Sequence, residues 1–268
     1  MADPLTLERF QRRNRTYYND LTRLHRQLVA PGLRVLEIGC GLGDRLASLE
    51  PSHGVGLEAD PALAAAATSR HPGLRLVCAP PEQLGPALLG ETDPFDVILI
   101  TNSLNTLADV QAVLAQLAPL CHGRTRLLIS FHNWLWQPLL KAAERLGQRR
   151  PQPPESWLTP GDVSNLLDLA GWEVLKRGHR CLLPRQIPLL TPLANRWLSQ
   201  LPVLEQLGLT HWLVARPYAL AKPALPSVSV VIPARNEAGN IAAAIERLPR
   251  LGRSTEVIFV EGHSSDDT

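Results

Sequence analysis

The stretch Val35-Leu36-Glu37-Ile38-Gly39-Cys40-Gly41-Leu42-Gly43-Asp44 decides the fold of this chain. Leu33 to Leu36 read as a buried strand, with Glu37 at its carboxyl end. Glycines at every second position then carry the chain into a helix from about Asp44. Glycines spaced this way let a ligand approach the backbone, and the helix start beyond them offers free amides. In an open α/β sheet, ligands sit beyond the carboxyl ends of the strands, where this turn falls. A dinucleotide fingerprint needs a glycine three residues after Gly41. Position 44 is Asp, which argues against a nicotinamide dehydrogenase.

Around this turn, strands and helices alternate. Residues 5 to 29 read as one amphipathic helix whose arginines form a solvated face, ended by Pro31-Gly32. Val55 to Glu58 is the second strand. Asp60 is the expected N-cap, and Pro61 the first residue, of an alanine-rich helix to Arg70. Leu74–Cys78, Val97–Thr101 and Thr125–Phe131 are the next strands, with a helix from about Asp109 to Leu120 before the last of them. A short helix spans Leu139 to Leu146, and Arg149 to Pro154 is a stiff exposed connection. Thr159 caps a helix from Pro160 to Leu169. Trp172–Leu182 and Trp212–Arg216 complete the strands.

The motif E-x-G-x-G-x-G resembles the first motif of class I S-adenosylmethionine-dependent methyltransferases of the type 11/12-like kind. The resemblance implies an α/β fold over residues 1–216, a Rossmann-like seven-stranded sheet, mostly parallel, with helices on both faces and the last strand antiparallel. It also implies S-adenosylmethionine as cofactor. Glu37, Gly39, Cys40, Gly41 and Gly43 would line its site, and Glu58 would accept both ribose hydroxyls, with Asp60 as the fallback. The pair Tyr17-Tyr18 falls where relatives lay a helix across the cofactor, so Tyr18 either touches the cofactor or joins the core. Relatives carry an adenine-binding Asp after the third strand. Here Ala79-Pro80-Pro81-Glu82 leaves that contact to backbone or to Glu82. Asn102 and Ser103 follow the fourth strand, where the family's loop borders cofactor and acceptor, but the usual acid and histidine are missing. His132, at the end of the fifth strand, is then the candidate catalytic base, or else an ordinary loop histidine.

A second beginning follows. Residues 217–226 read as a Pro-rich linker. Ser227 opens a fresh strand, "SVSVVIPARNE", followed by a helix from about Asn240 to Leu248 and a strand, Glu256–Val260, ending in "EGHSSDDT". Residues 227–268 resemble the N-terminal part of a family-2, GT-A-type glycosyltransferase. In that family Pro233, Asn236, Glu237 and Glu261 would border the nucleotide of a sugar donor. The family's metal-binding acids and catalytic base come later and are absent. The expectation is a truncated domain, inactive in glycosyl transfer, in a fragment of a methyltransferase–glycosyltransferase fusion. No metal site is expected.

The remaining bounds are broad. With 268 residues, 45% hydrophobic and 19% charged, the chain can bury a sizeable core. A net charge of +2 gives no case for nucleic acid. Four scattered cysteines fit reduced thiols in a cytoplasmic protein, and the sequence shows neither a signal peptide nor a membrane span. Residues 183–209 form a Leu- and Pro-rich insertion. It reads either as a lid on the sheet edge or as a surface for peripheral membrane contact, with Arg180, Arg185 and Arg196 meeting phosphate head groups. The expected function is methyl transfer to a small-molecule, glycan or lipid-linked acceptor. The alternative is a non-catalytic cofactor-binding scaffold for the fused glycosyltransferase.

Overall fold

A computed structural model describes residues 3–152, 156–185, 187, 190–196, 207–218 and 226–268. The chain divides into two compact units, Met1–Ala221 and Lys222–Thr268.

The first unit opens with α1 (Pro4–Arg13) and α2 (Arg15–Leu28). The sequence reads as one helix here, but it breaks at Asn14. The Asn14 amide donates to Phe10 O and to Gln148 O at 3.0 and 3.1 Å. That side-chain competition for backbone carbonyls ends the first helix. The chain continues through β1 (Arg34–Ile38), α3 (Asp44–Ser48), β2 (His53–Glu58), α4 (Pro61–Arg70), β3 (Arg75–Cys78), α5 (Pro86–Leu89) and β4 (Phe95–Thr101). Then come α6 (Val110–Gln116), β5 (Cys121–His132), α7 (Gln137–Arg145), α8 (Pro160–Leu169), β6 (Trp172–Arg180), α9 (Leu190–Arg196) and β7 (Thr210–Pro217).

Among the described residues these strands form a seven-stranded sheet in the order β3-β2-β1-β4-β5-β7-β6. β1 lies parallel between β2 and β4, with Leu36 opposite Val55 on one side and Ile98 on the other. β7 runs antiparallel to both β5 and β6, as expected for the last strand. One face packs Val35, Val97, Leu99 and Leu128 against Val29, Leu46 and Leu49 of the α2–α3 side. The other packs Leu36, Ile38, Ile98, Ile100 and Ile129 against Val113 and Leu114 of α6 and Val163 and Leu167 of α8. Strands covered on both faces carry continuous apolar runs, and β1 and β4 do so.

Several boundaries move for physical reasons. β1 runs through Glu37 to Ile38, so the acid is one residue inside the strand's carboxyl end. β6 stops at Arg180 because Cys181 turns into a left-handed conformation, φ 63°. α6 ends at Gln116, and Pro119 sits in the short 3-10 turn that follows. Arg149, read as part of an exposed connection, is largely covered and paired with Glu144. Pro217 pairs with Trp172 as the last residue of β7, so it closes the sheet and does not open a linker. Residues 219–225 of the expected linker lie outside the described residues, as does most of the 183–209 insertion, including Leu189, Trp197, Leu198, Leu201, Val203 and Leu204. Of its apolar stripe, Ile187, Leu193 and Leu207 are exposed. No helix among the described residues is long and apolar enough to cross a membrane.

The second unit is a βαβ turn: β8 (Ser227–Ala234), α10 (Ile241–Glu246) and β9 (Ser254–Glu261), the two strands parallel. α10 is shorter than the sequence suggests, because Pro249 disfavours helix at Leu248. Val231, Ile258 and Val260 remain exposed on its strands.

Candidate functional site

The carboxyl ends of β1, β2, β4 and β5 lie along one edge of the sheet. At the first, Gly39, Gly41 and Gly43 all take positive φ, 73°, 58° and 76°. At Gly39 a side chain is excluded twice over. A Cβ there would lie 2.7 Å from Ser103 Cβ, and the Ser103 hydroxyl already donates to Ile38 O at 2.9 Å. The Gly39 and Cys40 amides donate to Leu57 O, which sews the turn to β2. Glu58, the last residue of β2, closes it: its carboxylate accepts from Gly41 N at 2.8 Å and from Asp60 N at 3.0 Å. Asp60 serves the next helix. Its Oδ1 caps α4 by accepting from Ala62 N and Leu63 N. Burial pushes the Cys40 thiol up, so it stays protonated within the turn.

Beneath the turn, Glu37 is completely buried and pairs with Arg45 Nε at 2.7 Å. Its second oxygen, Oε2, has no partner among the described residues. Burial pushes the Glu37 carboxyl up, and the Arg45 guanidinium opposes that rise. A cation arriving at Oε2 would complete the pair, since a buried carboxylate is stable only when fully paired. Above, a cleft of about 320 Å³ is lined by Tyr18, Asn19, Cys40, Asp44, Arg45 and Arg70. The adjacent tyrosines divide. Tyr17 is buried in a cluster with Leu21, Leu24 and Leu209, while Tyr18 lines the cleft.

The end of β4 is held by a directional chain of hydrogen bonds. Arg149 NH2 lies 3.5 Å from His132 Nδ1, and Arg can only donate. Nδ1 is therefore the acceptor nitrogen, and Nε2–H donates to the Tyr17 hydroxyl oxygen at 3.2 Å. The Tyr17 proton then goes to Asn102 Oδ1, 3.0 Å away. Asn102 holds a left-handed φ of 56°, a rare conformation for a residue other than glycine. With Oδ1 accepting from Tyr17, its amide NH2 makes no hydrogen bond among the described residues. Burial, and next to it the charge of Arg149, pushes His132 down to about 3, so its imidazole is neutral at pH 7. His132 as a whole residue is half-buried.

Beyond β3, Pro81–Gln83 form a 3-10 turn, and Glu82 Oε1 accepts from Ala108 N at 3.3 Å. In the second unit, the two loops after β8 and β9 are stitched together. Asn236 N donates to Ser264 Oγ, Ser265 N to Asn236 Oδ1, Glu237 N to Thr268 Oγ1 and Ala238 N to Asp266 Oδ2. Glu261 accepts from Ser264 N, and Pro233 stands opposite Val260. Among the described residues no cluster of three or more His, Cys, Asp or Glu side chains could hold a metal ion.

Sequence reasoning did not reach Arg45 as the partner of Glu37, nor Arg149 and Tyr17 as the partners of His132. The one signal for the first was a basic residue just inside the helix that follows the glycine turn. For the second there was none, since Tyr17, His132 and Arg149 are far apart in sequence.

No curated protein matches the chain. Residues 36–127 match the methyltransferase domain family. Among solved structures, an S-adenosylmethionine-dependent methyltransferase from Thermotoga maritima superposes with a TM-score of 0.60 at 18% identity, over 78% of this chain and 93% of that one. One from Mesorhizobium loti gives 0.52 at 18%, over 70% and 92%. The magnesium protoporphyrin IX methyltransferase of Synechocystis PCC 6803, solved with bound S-adenosylhomocysteine, gives 0.52 at 16%, over 79% and 87%. These likenesses establish the fold, and the family match covers the glycine turn, Glu58 and the end of β4. Residues 36–127 thus carry a methyltransferase domain match within the seven-stranded unit, and S-adenosylmethionine is the methyl donor.

Proposed function

We propose that this chain transfers a methyl group from S-adenosylmethionine to a small-molecule, glycan or lipid-linked acceptor. The observation that carries the reading is the unpartnered Oε2 of Glu37 beneath a glycine turn closed by Glu58. In it, Gly39, Cys40, Gly41 and Gly43 supply backbone against the cofactor, Tyr18 covers it, and Glu58 re-aims its carboxylate from the Gly41 amide to the ribose hydroxyls. Glu37 supplies the negative charge. The cofactor brings an electrophilic methyl on a sulfonium. The residues of this chain align the acceptor and exclude water, which is most of what such a displacement needs. Asn102 and Ser103 border the acceptor, the Asn102 amide offering it a donor. His132 is present as the free base, but a weak one, so it suits an acceptor that is already nucleophilic.

The second unit is read as the opening of a family-2 glycosyltransferase, with Pro233, Asn236, Glu237 and Glu261 beside a sugar nucleotide. That reading supports a glycan or lipid-linked acceptor. A scaffold without turnover is the second reading, favoured by Pro80 and Pro81 where relatives carry an acid. The deciding experiment has two arms. Calorimetry with S-adenosylhomocysteine tests the cofactor site. Transfer of labelled methyl to a panel of sugars and polyprenyl-phosphate sugars tests the chemistry. Tight binding without transfer to any acceptor establishes the scaffold, and no binding sinks both readings.

A further inference from the structure

A second cleft, of about 440 Å³, opens in the first unit where β5, β7 and β6 meet the start of α8. Strand register builds it. His179 pairs with His211, and Arg177 with Leu213, so these side chains share one face of the sheet. Phe131 pairs with His211 from the other side, and the two rings stand 5.5 Å apart. The rings of His179 and His211 meet edge to face at 4.6 Å. Trp134 and Leu135, both exposed, form an apolar lip.

One feature here is unexplained by folding. His211 is 5% exposed, yet its Nδ1 has no hydrogen-bond partner among the described residues. A buried polar atom left unpaired costs about 1–3 kcal/mol, and a ligand that reaches it recovers that cost. Beside it stands the exposed Arg177, whose side chain makes no ion pair or hydrogen bond among the described residues. A neutral imidazole on the floor, an unpaired guanidinium at the rim and an apolar lip together select one kind of occupant.

We infer that this cleft binds a small anionic ligand, a carboxylate or phosphate carried on an apolar or planar body. The anion pairs with Arg177, His211 Nδ1 supplies a hydrogen bond, and the body rests on Trp134 and Leu135. Arginine suits both head groups because its fork matches two oxygens at once. The glycine turn is not used, so this site and the methyl-donor site can fail independently.

The test is titration of the full chain with inorganic phosphate and, separately, with benzoate, following the ring resonances of His179 and His211. Saturable shifts of both histidines are expected with at least one anion. Phosphate alone acting assigns a phosphate head group, and benzoate alone a carboxylate with a planar body. Arg177→Gln, at an exposed position, should weaken binding about tenfold or more. Arg124→Gln, at the opposite end of the sheet, should leave it unchanged. No saturable shift at millimolar anion, or equal weakening by both substitutions, overturns the site. Calorimetry with S-adenosylhomocysteine on the same samples reports on the other site alone.

Discussion

The Tyr17 hydroxyl reaches Asn102 Oδ1 at 3.0 Å, joining α2 to the end of β4 across 85 residues of sequence. The contact orients an amide that otherwise could face either way, and it steadies a residue held at positive φ. Tyr17→Phe removes the middle of the chain that runs from Arg149 through His132. It leaves Asn102 Oδ1 and His132 Nε2 without their partner, at a cost of about 1–3 kcal/mol. Urea denaturation should show that loss. A midpoint unchanged from the parent would mean that the three side chains are not coupled.

Gly41 and Gly39 should respond differently to a side chain. Beyond Gly41 the nearest atom a Cβ would meet is in Leu7, at 3.7 Å, so space is available and only the backbone conformation is strained, by about 1–2 kcal/mol. Gly41→Leu should therefore fold and lose S-adenosylhomocysteine binding. Gly39→Ala drives its methyl into Ser103 and should lower Tm more than Gly41→Ala does. Calorimetry giving parental affinity for Gly41→Leu would remove the glycine turn from the cofactor site.

Glu58 and Asp60 have separable duties. Glu58→Ala should weaken the cofactor about tenfold or more, the worth of a charge-assisted hydrogen bond. Asp60→Ala removes the cap of α4 and should cost about 1 kcal/mol of stability without weakening the cofactor. Titrating both variants with S-adenosylhomocysteine separates them. The opposite pattern would transfer the ribose role to Asp60.

Acid should unfold this protein through its buried histidines. His25 is completely buried with both ring nitrogens unpartnered among the described residues, and burial, then Arg45, pushes it down to about 3. His211, buried likewise, is pushed down to about 4. The unfolded chain therefore binds protons below about pH 6.5 that the folded one refuses. Stability is complete above that pH and falls as pH drops towards 3, by roughly 1.4 kcal/mol per unit for each such histidine. His25→Leu should flatten the pH dependence of urea denaturation by one proton over that window. An unchanged slope would place the titration elsewhere.

What the sequence revealed follows a pattern. The glycine turn, Glu58 at a strand end and the Asp60-Pro61 helix start were legible because their chemistry is local: one turn, one cap. The seven-stranded sheet with its antiparallel last strand came from the family resemblance, and the order of the strands only from the structure. Side-chain partnerships that span the sheet were not legible. Nothing near His132 in sequence marks Arg149 as its partner, and Arg45 is marked only as a basic residue just inside the helix after the glycine turn, since burial creates the need for each. Asn14 likewise reads as an unremarkable helix position until Gln148, far along the chain, supplies its second acceptor.

The position of β7 has a consequence for how the chain is made. It is the last strand of the first unit to leave the ribosome, yet it lies between β5 and β6 and supplies hydrogen bonds to both. Until residue 217 is synthesised, β5 presents an open edge and β6 has no neighbour at all. Open edges template misassembly, and pairing across long sequence separations is slow. The nascent chain must therefore carry an open β5 edge from residue 132 until residue 217, and that interval is when it should be most dependent on chaperones.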